Sequence, residues 1–381
     1  MNTVMQELHA KLVSRERYSL EMNLAELLER QVIPLQSAET EAVLRKKVIV
    51  VTGAAGSIGS ELCRQLLEHE PRMVIALDTN ETGLFDLVNS LRSHPKGGRL
   101  FPFIGDIKDV PRMSRFFAEV HPQVIFHAAA YKHVPLLEQF PDQAVQTNAL
   151  ATYHLCRLAQ EYGVECFVYI SSDKAAAPIS VLGASKRLGE LMVQSFAQLM
   201  EGSTQFCAVR FGNVIGSRGS VVPIFAQQIE SGGPVTVTDP EATRYFMTIP
   251  EACDLVIMTS AIAGQGGLYM LDMGKPVRIL DLAIKMIRLH GLREGQDIQI
   301  VYTGLRPGER LHETLVAYNE RSVSTVHDKI LRVVNNNDLP LHPTIAQWML
   351  ILDESLQNES LLQLRERLFE MVQVHELVKT K

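Results

Sequence analysis

The sequence predicts an α/β protein with a doubly wound parallel sheet and a smaller C-terminal lobe. One observation is a series of short apolar runs that alternate with helical patterns. Another is the glycine-rich turn GAAGSIG at residues 53–59, which directly follows the first of these runs. The chain has 381 residues, enough for one large domain or two lobes. Strands and helices that alternate at this spacing form a parallel sheet covered by helices on both faces.

The elements divide the chain into three predicted parts. Residues 1–45 form a helical arm that is broken at Pro34. Residues 46–212 form the parallel-sheet domain, and residues 213–381 form mainly the smaller lobe, partly interleaved with that sheet. Short continuous apolar runs are typical of strands that are buried on both faces. They lie at 47–52, 73–77, 100–104, 124–127, 167–170 and 206–210, and later helices are predicted at 250–263, about 342–357 and 359–374.

Composition excludes several classes of protein. The residues are 46% hydrophobic and 21% charged, which is typical of a globular protein. A net charge of -6 argues against nucleic acid as a partner. We find no signal peptide and no run of ~20 apolar residues, so we expect a cytoplasmic location without a membrane span. Five cysteines without a Cys-x-x-Cys pair, and histidines without ligand spacing, predict neither a disulfide nor a metal site.

The glycine-rich turn predicts a dinucleotide site. Gly53, Gly56 and Gly59 follow a buried strand and open a helix. Glycines in this context form the tight turn and let backbone N–H groups approach a pyrophosphate at the positive end of the helix. We therefore assign these glycines, together with Ser57 and Ile58, to cofactor binding.

An acidic residue at the end of the second strand selects the cofactor. Asp78 lies about 20 residues after the last glycine of the turn, the offset of a ribose-binding carboxylate. Such a carboxylate accepts hydrogen bonds from the ribose 2′-hydroxyl and repels a 2′-phosphate, which favours NAD over NADP. Asp106 and Ile107, just past the third strand, could cap the adenine, but Asp106 could equally be an ordinary turn residue.

Longer motifs resemble the nucleotide-sugar 4,6-dehydratases of bacterial surface-glycan biosynthesis, which are extended short-chain dehydrogenases/reductases. The resemblance covers roughly residues 24–320. It implies a Rossmann fold, NAD as cofactor, UDP-N-acetylglucosamine as substrate and a homo-oligomer, and it places Ala128 and Ala129 at the cofactor. The motifs are HAAAYKHVPLLE (127–138), SSDKA (171–175), GASKRLGE (183–190), RFGNVIGSRGSVVPIF (210–225), TRYFMTIPEA (243–252) and TGLRPGER (303–310).

Acid–base chemistry is assigned to Asp173 and Lys174. Short-chain dehydrogenases usually use Tyr-x-x-x-Lys on one helix face, but here only Lys186 is present and Leu182 occupies the tyrosine position. We expect Asp173 to protonate the departing C6 hydroxyl, and Lys174, with a pKa lowered by burial and nearby positive charge, to remove the C5 proton. Ser172 would hydrogen-bond the C4 oxygen, and Lys186 would hold the nicotinamide ribose. The acceptor of the C4 hydroxyl proton is either Lys174 or a water relay.

Substrate binding is assigned to the second lobe and one loop. Asn213 can meet the diphosphate, and Arg244 and Arg306 carry fork-shaped donors suited to phosphate oxygens. Glu309 could accept hydrogen bonds from the uridine ribose. Lys132, in the loop after the fourth strand, could contact either the substrate or a partner subunit.

These residues and the resemblance together predict an NAD-dependent UDP-N-acetylglucosamine 4,6-dehydratase. A lysine base could serve either retention or inversion at C5, and the resemblance favours retention. One alternative is an NAD-dependent nucleotide-sugar 4-epimerase, which normally needs the missing tyrosine and needs no acid beside C6. Another is an NAD-binding sensor without catalytic activity.

Overall fold

The computed structural model describes residues 38–199, 204–264, 266–335 and 342–377. Most of the predicted N-terminal arm, including Pro34, therefore lies outside the described residues. The last part of that arm is a short helix, Ala38–Leu44. None of the helices in the described ranges is both long and apolar enough to cross a membrane.

The strands confirm the six apolar runs and add others. In chain order they are β1 (Val48–Thr52), β2 (Met73–Asp78), β3 (Leu100–Ile104), β4 (Val124–His127), β5 (Cys166–Ile170), β6 (Gln205–Arg210), β7 (Asn213–Ile215), β8 (Val235–Val237), β9 (Thr243–Arg244), β10 (Phe246–Thr248), β11 (Gly267–Leu271), β12 (Val277–Arg278), β13 (Ile300–Tyr302), β14 (Glu320–Ser324) and β15 (Ile330–Asn335).

The helices confirm the predictions at 250–263, 342–357 and 359–374 to within three residues. In chain order they are α1 (Ala38–Leu44), α2 (Ser57–Leu66), α3 (Glu81–Ser90), α4 (Val110–Val120), α5 (Val134–Gln139), α6 (Pro141–Ala144), α7 (Ala151–Glu161), α8 (Val181–Ala197), α9 (Val221–Glu230), α10 (Ile249–Ile262), α11 (Ile279–Leu289), α12 (His342–Asn358) and α13 (Leu361–Leu377).

The predicted fold class is confirmed. Within the described ranges, nine strands form one sheet in the order β14-β15-β11-β6-β5-β4-β1-β2-β3. In this sheet, neighbouring strands among β3, β2, β1, β4, β5, β6 and β11 pair in parallel. Strands β15 and β14 continue the sheet in antiparallel pairs. Every residue of β1, β4 and β5 is buried, which explains their continuous apolar sequences. Helix α10 packs with α1 and α2, while α7 packs with α4 and α8, and these groups form the two helical layers.

The strand order places a binding crevice between β1 and β4. From β1 the chain proceeds to β2 and β3 on one side of the sheet, and from β4 it proceeds to β5 and β6 on the other. In open parallel sheets, ligands bind outside the carboxyl ends of the strands where the order reverses. The turn after β1 and the loop after β4 therefore lie side by side at the candidate site.

A second hydrophobic cluster supports a smaller lobe. It is separate from the main core and is built by α9, α11 and the short strands between residues 213 and 302, with Phe225, Val235 and Ile287 among its buried members. Beyond residue 212 the chain also returns to the sheet through β11, β15 and β14. The predicted boundary at residue 212 remains a prediction, because the two halves share that sheet.

Four charged side chains form a buried cluster between α8, β6 and the start of β14. Arg210 donates to Glu190 Oε2 at 2.7 Å and to Glu320 Oε2 at 2.8 Å, and Arg187 Nη1 lies 2.7 Å from Glu320 Oε1. Ser171 Oγ donates to Glu190 Oε1 at 2.7 Å. Burial raises the pKa of Glu320, but the two guanidinium groups lower it more, to about 2. The two positive and two negative charges are thus satisfied inside the protein.

Removing Arg210 should strongly destabilise the fold. We expect Arg210→Met to lower the free energy of unfolding by ~3–5 kcal/mol, because it leaves two buried carboxylates with only the single charge of Arg187 to balance them. Urea unfolding measures the change. As a control, Arg45→Met removes a guanidinium that is paired with Glu70 at the surface (the Arg45 side chain is 59% exposed) and should have little effect. Equal losses in the two variants would contradict a structural role for the buried cluster.

Candidate active site

The glycine-rich turn after β1 leaves its backbone open to a ligand. Gly53 has φ +67°, and a Cβ there would lie 2.6 Å from the backbone nitrogen of Ala129. A Cβ on Gly59 would overlap the Gly53 carbonyl, so the glycine lets α2 pack closely onto the turn. Within the described part of the chain, no side chain caps the start of α2. The N–H groups at Ser57 and Ile58 are therefore positioned to meet an anion, and the turn fits a dinucleotide diphosphate.

Asp78 holds the same turn in place. Its Oδ2 accepts a hydrogen bond from the backbone N–H of Ala55 at 2.9 Å, and its Oδ1 accepts from Asn80 N–H at 2.9 Å. Each carboxylate oxygen can accept a further hydrogen bond. The predicted ribose contact is therefore compatible with the observed geometry, and Asp78 has an additional structural role that the sequence analysis did not foresee.

The other residues assigned to the cofactor follow the carboxyl ends of β3 and β4. Asp106 Oδ1 accepts from Lys108 N–H at 2.9 Å, which is the contact of an ordinary turn aspartate; an adenine contact stays a prediction. Ile107 is buried, whereas Ala128 and Ala129 are half-buried beside Gly53.

His127, in the first of the sequence motifs, fixes the end of β4. Its two ring nitrogens lie 2.7 Å from Thr52 Oγ1 and 2.9 Å from Thr152 Oγ1. Burial, and to a lesser degree the charge of Lys186, lowers the pKa of His127 to about 3, so the ring is neutral at physiological pH. Thr52 Oγ1 in turn accepts from the N–H of Ala129 at 3.3 Å. This chain of contacts ties the loop after β4 to the end of β1.

The predicted acid and base lie on a tight turn after β5. Ser172 Oγ donates to Asp173 Oδ1 at 2.8 Å, and Lys174 Nζ donates to the same oxygen at 3.1 Å. The Asp173 side chain is 1% exposed. Its Oδ2 is buried and has no hydrogen-bond partner among the residues that the structure describes. One oxygen of this carboxyl therefore binds the neighbouring residues, and the other has no partner in the described part of the chain.

The structure corrects the expected charge state of Lys174. Glu313 Oε1 lies 3.5 Å from Lys174 Nζ, which Asp173 also contacts. Burial lowers the pKa of Lys174, but the charges of Asp173 and Glu313 outweigh it and leave that pKa above its ordinary value. The expectation of a lowered pKa was wrong, because it took no account of the second carboxylate.

Glu313 was given no role from the sequence. The available signal was an acidic residue shortly after the motif that ends at residue 310. Its Oε1 also lies 3.9 Å from Nε of Arg244, so the carboxylate stands between Lys174 and an arginine of the smaller lobe.

Lys186 and Leu182 lie on α8, one turn apart. Lys186 Nζ donates to the carbonyl of Ile170 at 2.9 Å and lies 4.7 Å from the centre of the Tyr169 ring. Burial lowers the pKa of Lys186 to about 7, against an opposing effect of Glu190. Leu182 is 4% exposed and belongs to the main hydrophobic core. The position of the missing tyrosine is therefore apolar.

The predicted substrate residues are distributed around this centre. Arg244 Nη1 donates to the carbonyls of Thr243 at 2.7 Å and Leu311 at 3.0 Å, and among the predicted substrate residues it is the one that shares a carboxylate with Lys174. The other predicted substrate residues form no ion pair or hydrogen bond with this carboxylate in the described part of the chain. Arg306 and Glu309 pair with each other (Nε to Oε1 3.7 Å), Asn213 donates its backbone N–H to the Tyr245 carbonyl, and Lys132 is exposed in the loop after β4.

Known proteins with similar sequences take part in polysaccharide biosynthesis. Capsular polysaccharide biosynthesis protein CapD from Staphylococcus aureus is 48% identical over 81% of this chain and 51% of its own length. The chain thus spans about half the length of that relative.

Solved structures share the fold. Pen from Bacillus thuringiensis matches with a TM-score of 0.69 at 30% identity, covering 79% of this chain and 91% of that one. UDP-glucose 4-epimerase from Thermus thermophilus, solved in complex with NAD, matches with a TM-score of 0.61 at 24% identity over 70% of this chain and 90% of its own.

A family model described as "Polysaccharide biosynthesis protein" matches residues 49–335, which include the sheet, the glycine-rich turn and the Asp173–Lys174 turn. The predicted resemblance to proteins of surface-glycan biosynthesis is confirmed at this level, and the chain belongs to the polysaccharide biosynthesis protein family.

Proposed function

We propose that this chain is an NAD-dependent nucleotide-sugar 4,6-dehydratase acting on UDP-N-acetylglucosamine. The observation that carries the proposal is the buried Asp173 carboxyl, which has one oxygen bound to Lys174 and the other without a partner in the described residues. Elimination of water across C5–C6 needs an acid and a base at adjacent carbons. Membership of a polysaccharide biosynthesis family supports a nucleotide-sugar substrate.

NAD binding is supported by the open turn after β1. Gly53, Ser57, Ile58 and Gly59 would hold the diphosphate, and Asp78 the adenosine ribose. When bound, NAD supplies the acceptor for hydride from C4 and the donor of hydride to C6. The cofactor is thereby regenerated within each turnover.

The side chains of the site would bind the nicotinamide ribose, orient the sugar and transfer its protons. Lys186 would hold the nicotinamide ribose and Ser172 would orient the C4 oxygen. Asp173 would protonate the C6 hydroxyl, which leaves as water, and Lys174 would take the C5 proton. The 3.1 Å contact between Lys174 Nζ and Asp173 Oδ1 supplies the required protonation states, because one proton that moves from the ammonium to the carboxylate creates the neutral base and the protonated acid together. Glu313 opposes this proton transfer, because its charge raises the pKa of Lys174, whereas a closed, poorly hydrated site favours the neutral pair over the ion pair.

A nucleotide-sugar 4-epimerase is the second candidate, because the matched Thermus thermophilus structure is a UDP-glucose 4-epimerase. Against it, epimerisation at C4 requires no acid at C6. Leu182, which is buried at the position of the usual tyrosine, cannot exchange a proton. Retention at C5 and a homo-oligomeric state remain predictions.

Incubation with UDP-N-acetylglucosamine separates the candidates. We expect a product that is lighter by one water and carries a C4 ketone, detected by mass spectrometry and by reduction with borohydride. An isobaric epimer would favour the second candidate. Unchanged sugar from protein that carries NAD would indicate a sensor.

Isotope exchange should distinguish the acid from the base. We expect Asp173→Asn to reduce dehydration by ~10²–10⁴-fold, because a general acid contributes on that order. C5 deprotonation should persist in that variant, because loss of the Asp173 charge lowers the pKa of Lys174 and lets it release its proton to solvent, and it should stop in Lys174→Met. After incubation in deuterated buffer, NMR of recovered substrate should show more deuterium at C5 with Asp173→Asn than with Lys174→Met. Equal exchange, or full activity in either variant, would contradict the assignment.

Glu313 should set the pH at which Lys174 becomes a base. Because its carboxylate raises the pKa of Lys174, Glu313→Gln should lower that pKa, and the rise of kcat/KM with pH should move to lower pH. Glu313→Asp, which keeps the charge, should lie closer to the wild type. Glu241→Gln removes an exposed carboxylate paired with Arg278 and serves as a control with no expected shift. If the rise of kcat/KM with pH stays in place or moves to higher pH in Glu313→Gln, Glu313 does not control the pKa of Lys174.

A further inference from the structure

A short segment of the smaller lobe, residues 216–220, crosses the glycine-rich turn. The backbone N–H of Arg218 donates to Ser57 Oγ at 3.1 Å, and Arg218 Nη2 donates to the carbonyl of Ala55. Gly216 and Gly219 flank this arginine with φ +76° and +69°. Both values lie in the left-handed region that glycine adopts readily, so the backbone can turn sharply on either side of Arg218. The segment therefore joins the smaller lobe directly to the turn that is proposed to hold the cofactor diphosphate.

The same segment contacts the loop after β4. A Cβ on Gly219 would lie 2.7 Å from Cε1 of His133, so backbone and ring are in close contact. Partial burial lowers the pKa of Lys132, and the positive charge of the Arg218 guanidinium lowers it further. Residues 216–220 are thus held on two sides, above the carboxyl ends of β1 and β4. The strand order changes direction at this point, where a dinucleotide diphosphate binds in folds of this class.

The contacts leave suitable groups for an anion. Ser57 Oγ accepts from Arg218 N–H, so its own proton remains available to donate to a phosphate oxygen. The guanidinium adds a positive charge beside the N-terminus of α2, which already favours anions. Ser57 was predicted to bind the cofactor from its place in the glycine-rich turn, whereas no role was predicted for Arg218.

We propose that Arg218 is a positioning residue for the cofactor, and that residues 216–220 close over the diphosphate of NAD and slow its release. The inference rests on the proposed function, in which the cofactor is restored within each turnover and need not leave. A contact that bridges the two lobes across the turn suits such retention, because dissociation would require both contacts of Arg218 to open.

The test is the rate at which NAD leaves. Arg218→Met keeps the length of the side chain and the backbone N–H to Ser57, but removes the charge and the contact with Ala55. We expect NAD to dissociate about tenfold faster, since a charge-assisted hydrogen bond is lost. Release is measured by chasing isotopically labelled NAD with unlabelled NAD. Arg218→Lys, which keeps the charge without the fork, should be intermediate.

Controls separate this proposal from the proposed function. Arg293→Met removes an exposed arginine that is paired with Asp297 and has no assigned role, and it should leave the rate of NAD release unchanged. Equal rates for wild type and Arg218→Met, or equal acceleration by Arg293→Met, would overturn the positioning role of Arg218. Wild-type protein that shows no NAD binding by calorimetry would instead overturn the proposed cofactor. Because Arg218 is exposed, unfolding curves should coincide for all variants.

Discussion

Glu190 and Glu320 share the guanidinium of Arg210 in the core. These ion pairs fix the two chain segments that carry Asp173 and Glu313, the carboxylates that contact the candidate base Lys174. Glu190 also accepts a hydrogen bond from Ser171, which directly precedes the Ser172-Asp173-Lys174 turn. Arg210 donates to the carbonyl of Leu315 at 2.8 Å, two residues beyond Glu313. Burying these charges is costly, and the cost is offset only because each has a partner of opposite sign. The same cluster therefore holds the two segments whose carboxylates, Asp173 and Glu313, contact Lys174.

The parallel strands could be predicted from the sequence because burial on both faces imposes a continuous apolar run, as in Val48–Thr52 and Cys166–Ile170. The antiparallel extension of the sheet, formed by β15 and β14, could not be predicted in this way. Strand Glu320–Ser324 is the edge of the sheet, and four of its five residues are exposed, so its sequence has no distinct pattern. Its position depends on pairing with Ile330–Asn335 and on the ion pairs of Glu320, which are contacts between residues far apart in the chain.

The candidate site shows the same division. Asp173 and Lys174 could be identified because they are adjacent in the chain, and the glycine-rich turn because its spacing reflects local backbone geometry. Glu313 lies 139 residues beyond Lys174 in the chain, and only the tertiary structure brings the two side chains into contact. The sequence thus indicated the correct lysine but the wrong direction for its pKa, since that direction depends on a carboxylate from another segment.

The two lysines of the site differ in a way that suits the proposed reaction. Lys186 contacts a carbonyl and an aromatic ring, and burial lowers its pKa to about 7. Lys174 contacts two carboxylates and keeps its proton more firmly. A proton that moves from Lys174 to Asp173 leaves the net charge of the site unchanged, so acid and base can form without exchange with solvent. The apolar Leu182 fits this arrangement, because it adds no further hydroxyl that could compete for the proton.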